Sequence, residues 1–204
     1  MKRLLVLLVL LVPLFLLAAA AIVLIGPDDT RDLRAKIAAY PIAAACCGAI
    51  GTLYVVAVQG PISVRFYDPG SAAALIFPIG FYIDRLSAIM MTLIAGVSTL
   101  IFVYSTGYMY QDRHMRRYLA LICFTDFVLI CMVSSANLMM LFLFWQLLSY
   151  LLYLLAHNHT HAGTLDGAFK TFTLLRVGDI AFLAGIVLAH ALYGTLEFPA
   201  LFTR

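Results

Sequence analysis

Charged side chains are scarce in this chain. Of its 204 residues, 11% are Asp, Glu, Lys or Arg and 64% are hydrophobic, and the mean hydropathy is +1.02. Soluble domains carry roughly 25% charged residues and about half apolar ones. The shortage of charge excludes an ordinary soluble domain and predicts an integral membrane protein whose surroundings are the lipid bilayer.

A strongly basic surface is lacking as well. The formal net charge is only +3, and the basic residues stand in short loops beside apolar runs, where they set the orientation of membrane helices. Nucleic-acid binding is therefore excluded.

Motifs for metal, redox or nucleotide chemistry are also missing. The four cysteines have no CxxC spacing and lie inside apolar runs, so we interpret them as small core residues; they are Cys46, Cys47, Cys123 and Cys131. No nucleotide-binding loop and no flavin or quinone pattern occurs. We expect no metal and no cofactor, and no catalysis by this chain alone.

Long apolar runs dominate what is present. About 20 apolar residues cross the roughly 30 Å of a bilayer core. Six runs qualify, with only Asn137 between the fourth and fifth: 4–26, 37–59, 86–108, 118–136, 138–156 and 168–193. The predicted fold is all-α, with about six transmembrane helices.

The connection between the second and third helices is the one long non-helical segment. Its Gly, Pro, β-branched and aromatic residues predict a short hairpin-like loop. We divide the chain into 1–79, with two transmembrane helices and this external loop, and 80–204, with the other four helices.

The first apolar run also resembles a secretory signal, because MKR and a leucine run precede AAAA. The run continues to Ile25, which is long enough to span a bilayer, so we expect a retained helix. The basic loops 27–36 and 109–117 fall on one side of a six-helix arrangement and predict that both chain ends are external, although Lys2 and Arg3 oppose this. We expect a multi-pass protein of the bacterial inner (cell) membrane.

Three charges lie within the last apolar run: Lys170, Arg176 and Asp179. Each costs about 2.5–3.5 kcal/mol at a helix centre on insertion scales. The i,i+3 spacing of Arg176 and Asp179 predicts mutual neutralisation, whereas Lys170 lies on another face. Two interpretations remain open: a proton path, or a structural ion pair with a lysine that extends to the interface. Asp126 in the fourth helix is a further candidate, as a path residue or a polar anchor.

Histidines alternate in the loop HNHTH, at His157, His159 and His161. Since Asp166 is the only carboxylate nearby, a solvated loop is favoured over a metal site, and a proton-collecting surface is the alternative. We expect His190, alone in the last helix, to be a core histidine.

Several of these runs together resemble a known family. FYIDRLSAIMMTLIAGVSTLIFVYSTGYM, ANLMMLFLFWQLLSYLLYLL, DGAFKTFTLLRVGDIAFL and YGTLEF, over roughly residues 80–200, are similar to the N-terminal third of the NuoL/ND5 and MrpA group. These are antiporter-like, proton-translocating subunits of respiratory complex I and related assemblies. The resemblance implies an N-terminus on the positive side of the membrane, and two inverted five-helix repeats that carry protons through buried Lys and Glu.

The chain departs from the family pattern at one key position. The family places a buried Glu after the Trp of the fifth helix, where it pairs with a Lys, but here Trp145 is followed by Gln146 and the single glutamate is Glu197. Because Gln carries neither charge nor a titratable proton, we expect Lys170 to lack that charged partner.

Length is the second departure, since the family continues beyond the equivalent of Arg204 through a helix with the channel lysine and a second repeat. We expect a split or truncated antiporter-like subunit, with other membrane subunits as partners and one chain supplying the missing part of the fold. The resemblance implies part of a proton path in a proton-translocating NADH:quinone oxidoreductase-like or antiporter complex. The alternatives are a non-transporting scaffold or assembly subunit and the membrane subunit of an inorganic-carbon uptake complex.

Overall fold

The computed structural model describes residues 2–25, 31–67, 79–109, 114–156 and 162–202. The all-α membrane architecture predicted from the sequence is confirmed. The described elements are α1 (Lys2–Leu24), α2 (Arg31–Gln59), β1 (Ile62–Tyr67), β2 (Ile79–Ile83), α3 (Arg85–Tyr108), α4 (Met115–Val133), α5 (Leu138–Ala156), α6 (Ala162–Tyr193) and α7 (Phe198–Phe202). The six long helices follow the six apolar runs, although α6 begins earlier than predicted, and α7 was not predicted.

Four of these helices contain a segment long and apolar enough to cross a membrane: Leu33–Gln59, Arg85–Tyr108, Leu138–Ala156 and Phe169–Tyr193. In α1 the apolar segment Val9–Leu24 is shorter. The remaining long helix, α4, carries Arg116, Arg117 and Asp126. Large apolar side chains on the outer faces of the spans are exposed, as expected for helices that contact lipid or other membrane helices.

The first compact unit consists of α1 to α4, with residues Met1–Pro61 and Asp84–Val133. Within it α2 packs between α1 and α3, and α4 packs on α1 and α3. Small residues at these contacts allow the helix backbones to approach closely. The fully buried ones include Ala19, Ala38, Ala45, Ala49 and Ala88.

The second compact unit contains Ile62–Ile83 and Ser134–Arg204. Strands β1 and β2 form an antiparallel hairpin with Ile62 opposite Ile83, which confirms the predicted hairpin-like loop. Gly80 is required there, because a Cβ at this position would lie 2.6 Å from the carbonyl oxygen of Val64. An irregularity in register follows Arg65.

The link between α4 and α5 extends this hairpin. The amide of Tyr82 donates to the carbonyl of Ser134 at 2.9 Å, and the amide of Ala136 donates to the carbonyl of Gly80 at 3.1 Å. On its other side the link pairs with the chain after α6, where the amide of Phe198 donates to Ala136 at 3.1 Å. This ladder fixes the start of α5 beside the end of α6, and nothing in the sequence pattern indicated it.

Candidate functional site

The buried polar groups of the second unit lie between α5 and α6. Arg176 and Asp179 are one turn apart on α6, on the side that packs against α5. The Asp179 side chain is 5% exposed and that of Arg176 is 38% exposed. The carboxylate is therefore enclosed, while the guanidinium reaches the edge of the helix pair.

Both carboxylate oxygens of Asp179 have donors. The indole Nε1 of Trp145 donates to Oδ1 at 2.9 Å, and Arg176 Nη1 lies 3.4 Å from Oδ2. The ion pair predicted from the i,i+3 spacing is present.

Arg176 has two further contacts besides Asp179. Its Nη1 donates to the side-chain oxygen of Gln146, and its Cζ lies 4.5 Å from the centroid of the Phe172 ring, a cation–π arrangement. Gln146 is therefore a hydrogen-bond acceptor for Arg176. The packing of α5 on α6 aligns Gln146 with Arg176.

Aromatic rings surround this cluster. Phe182 meets Trp145 edge-on at 6.2 Å and Phe142 at 5.6 Å, and Tyr153 lies 5.3 Å from Phe172. These rings cover part of the cluster, and Arg176 stays 38% exposed.

An open groove of about 650 Å³ borders the cluster and is lined mainly by apolar side chains. Asp179 and Trp145 form part of its wall, with Leu174, Gly178 and Phe182. The buried carboxylate thus lies beside an open, mainly apolar groove between α5 and α6.

Lys170 lies outside the cluster. It is exposed, one residue into the span Phe169–Tyr193, and has no hydrogen bond or ion pair with any side chain that the structure describes. His190 is also exposed, so its prediction as a core histidine is wrong. The loop histidines His157, His159 and His161 lie outside the described residues. Across the described ranges, no three side chains of the metal-ligating types come together.

Asp126 belongs to the other unit. It is 7% exposed, and its carboxyl group is hydrogen-bonded to the Ser98 side chain of α3. Its second oxygen, Oδ2, is buried without a hydrogen-bond partner in the described part of the chain. The two buried aspartates therefore have very different surroundings.

The sequence analysis did not identify Trp145 as a hydrogen-bond donor of this site. A tryptophan in an apolar helix is usually a packing residue, and only the pairing of α5 with α6 brings its N–H to a carboxylate. The available signal was its position next to Gln146, the site of the departure from the family pattern.

Two family models match the chain. The model described as NADH-ubiquinone oxidoreductase (complex I), chain 5 N-terminus, matches residues 71–119, and the model described as NADH:quinone oxidoreductase/Mrp antiporter, TM, matches residues 135–204. The two matched segments include the hairpin strand β2, both helices of the polar cluster and the start of α4.

Curated relatives agree with these models. The chain is 30% identical over 204 residues to NAD(P)H-quinone oxidoreductase chain 5 of a Synechocystis species, covering 95% of this chain and 30% of that protein. It is 33% identical over 124 residues to the probable inorganic carbon transporter subunit DabB1 of Halothiobacillus neapolitanus, covering 60% of this chain and 22% of the relative. The chain thus spans less than a third of the length of these relatives.

A solved structure shares the fold. A chain of the archaeal membrane-bound sulfane sulfur reductase, a respiratory membrane complex, superposes with a TM-score of 0.72 at 19% identity, over 96% of this chain and 38% of that one. The two chains therefore share this helical fold.

Proposed function

Because the chain belongs to the NuoL/ND5/MrpA family of antiporter-like membrane subunits, we propose that it is a membrane subunit of a multi-subunit, proton-coupled complex and contributes part of a proton path. The observation that carries the proposal is the enclosed Arg176–Asp179 pair, with its Trp145 and Gln146 partners, between two membrane-spanning helices. Ionisable groups at such depth mark ion and proton pathways more often than they serve packing.

Arg176 has two contacts that do not depend on the charge of Asp179, namely the Gln146 oxygen and the face of Phe172. The guanidinium therefore keeps these neutral partners, but has no anion, when a proton neutralises Asp179. A neutral glutamine suits this role because it accepts a hydrogen bond in either state of the aspartate.

Lys170 supplies a second cation six residues before Arg176, about 9 Å along the helix axis. It is exposed on α6, whose main packing partner among the described helices is α5. We place it at the face that meets another membrane subunit, including a chain or segment that completes the antiporter-like fold. There a carboxylate of that partner would form a charged pair with the Lys170 ammonium group.

The experiment compares Lys170→Met, Asp179→Asn and the double variant Arg176→Gln/Asp179→Asn in the host of the complex. Lys36→Met is the matched control, because Lys36 is also exposed but lies near the N-terminal end of α2. Complex yield is measured after mild-detergent purification, and proton transport is measured with a pH-gradient dye in inverted vesicles.

We expect Lys170→Met to assemble at the yield of the control while proton transport falls to the background of vesicles without the chain. Unchanged transport in both Lys170→Met and the double variant would overturn the path and leave the scaffold interpretation, in which the charges only hold helices together.

Inorganic-carbon uptake is a second candidate, favoured by the 33% identity to the subunit DabB1. The same variants are then scored for growth at ambient carbon dioxide. Loss of growth that added bicarbonate restores supports carbon uptake, whereas loss of respiration-driven proton transport supports a redox-driven complex.

A further inference from the structure

The buried carboxyl group of Asp126 in α4 has an incomplete set of hydrogen bonds. Ser98 of α3 bonds to it, and Oδ2 has no partner in the part of the chain that the structure describes. Asp179, in contrast, has a donor on each oxygen, one of them a guanidinium. One aspartate thus has the surroundings of an anion and the other does not.

No cation among the described side chains of α1 to α4 lies near Asp126. The described side chains Val9–Leu24 of α1 are all uncharged, α2 has no charge after Lys36, and α3 has none after Arg85. On α4 itself Arg117 precedes Asp126 by nine residues, about 14 Å along the axis. An ionised Asp126 would therefore be an isolated charge inside the helix unit.

Apart from the basic residues near the N-terminal ends of α2, α3 and α4, the described titratable side chains on these helices are acids, so none of them can neutralise a carboxylate. They are cysteines and tyrosines: Cys46, Cys47, Tyr40 and Tyr54 on α2, Tyr104 and Tyr108 on α3, and Tyr118, Cys123 and Cys131 on α4. A buried carboxylate with neither a cation nor a full set of donors is strongly disfavoured, and such a group takes up a proton instead.

From these observations we propose that Asp126 is a protonated carboxylic acid, with an exchangeable proton on Oδ2. It is a second proton-binding site, within the α1–α4 unit. The inference does not depend on the proposed transport function, because it concerns the resting protonation state of one side chain.

The test is infrared spectroscopy of the intact purified complex. A protonated carboxyl gives a carbonyl stretching band above the amide I band, and a carboxylate does not. The wild type is compared with Asp126→Asn, with Asp179→Asn as the matched control. We expect Asp126→Asn to lose one such band and the control to lose none. We also expect the band to shift when the wild type is placed in D₂O.

Ser98→Ala gives an independent readout, because removal of the hydrogen bond shifts the Asp126 band without removing it. Persistence of every carboxyl band in Asp126→Asn would overturn the proposal. A band that is lost in Asp126→Asn but does not move in D₂O would contradict proton exchange.

Assembly provides the second measurement. Asparagine is a neutral shape mimic of a protonated aspartate, so Asp126→Asn should assemble at the wild-type yield, whereas Asp179→Asn leaves Arg176 without its anion and should not. A loss of yield in Asp126→Asn as large as in Asp179→Asn would show that Asp126 is an anion with a partner and would refute the protonated state. A null result for transport in the Lys170 and Arg176/Asp179 variants would leave this inference untouched.

Discussion

Replacement of Asp179 by Asn is the sharpest test of the polar cluster, because it removes the charge and keeps the shape. The Trp145 indole can still donate to the amide oxygen of Asn, so the 2.9 Å hydrogen bond survives as a neutral one. What is lost is the attraction between the carboxylate and Arg176 Nη1, 3.4 Å away.

The loss of folding free energy expected for Asp179→Asn lies between two limits. Breaking a fully buried pair costs about 3–5 kcal/mol, and an exposed pair contributes about 0.2–1 kcal/mol. Arg176 is 38% exposed, Asp179 is 5% exposed, and Gln146 and Phe172 still hold the guanidinium. We therefore expect a loss of about 2 kcal/mol, a factor of roughly 30 in the folding equilibrium constant.

A double-mutant cycle isolates the pair. Asp179→Asn, Arg176→Gln and the double variant are unfolded with increasing SDS in mild detergent, and helix content is followed by circular dichroism. The coupling energy should be about 2 kcal/mol, so the double variant should be more stable than the sum of the single losses predicts. Asp179→Ala should cost a further 1–3 kcal/mol or so, because it leaves the Trp145 donor without an acceptor.

A coupling energy below about 0.5 kcal/mol, within the range of independent sites, would refute the reasoning. It would mean that the exposed side of Arg176 screens the pair as efficiently as a surface pair. Asp179→Ala indistinguishable from Asp179→Asn would show that the Trp145 hydrogen bond contributes nothing.

Three further predictions concern the fold. Gly80→Ala should destabilise the protein by about 1–3 kcal/mol, because its Cβ would lie 2.6 Å from a carbonyl oxygen of β1, whereas Gly96→Ala, with open space at its Cβ, should not destabilise it; thermal melting compares the two. Asn137→Ala should lower stability by about 1 kcal/mol, measured by the same melting, because the side chain accepts from the third amide of α5 at 2.7 Å. A cysteine at Lys36 should react with a membrane-impermeant thiol reagent only from the cytoplasm and one at Gly60 only from outside, measured in a variant without native cysteines; the reverse pattern would invert the topology.

The helices and the ion pair were predictable because both depend on short-range geometry. A run of about 20 apolar residues is helical in a bilayer whatever surrounds it, since its backbone groups must be satisfied within the segment. The i,i+3 spacing of Arg176 and Asp179 brings them together on any helix. The hairpin was signalled by its glycines and prolines, which end helices locally.

The partners of those charges depend on long-range packing and could not be predicted. Gln146 is separated from Arg176 by 30 residues and Trp145 from Asp179 by 34, so only the rotation of α5 against α6 decides that both face the pair. The same packing leaves Lys170 outside the cluster and His190 exposed.

The periodicity of apolar residues shows on which face of a helix they lie. It does not show which other helix that face contacts. That choice groups α1 to α4 in one unit and places the hairpin with α5 and α6 in another. Within the second unit, the hairpin is joined to the residues that flank α5 and α6 by main-chain hydrogen bonds, which carry no side-chain signal in the sequence. The amino-acid pattern therefore defined the membrane helices and their internal ion pair. The tertiary structure decided which neutral groups complete the site, because those contacts join residues that are distant along the chain.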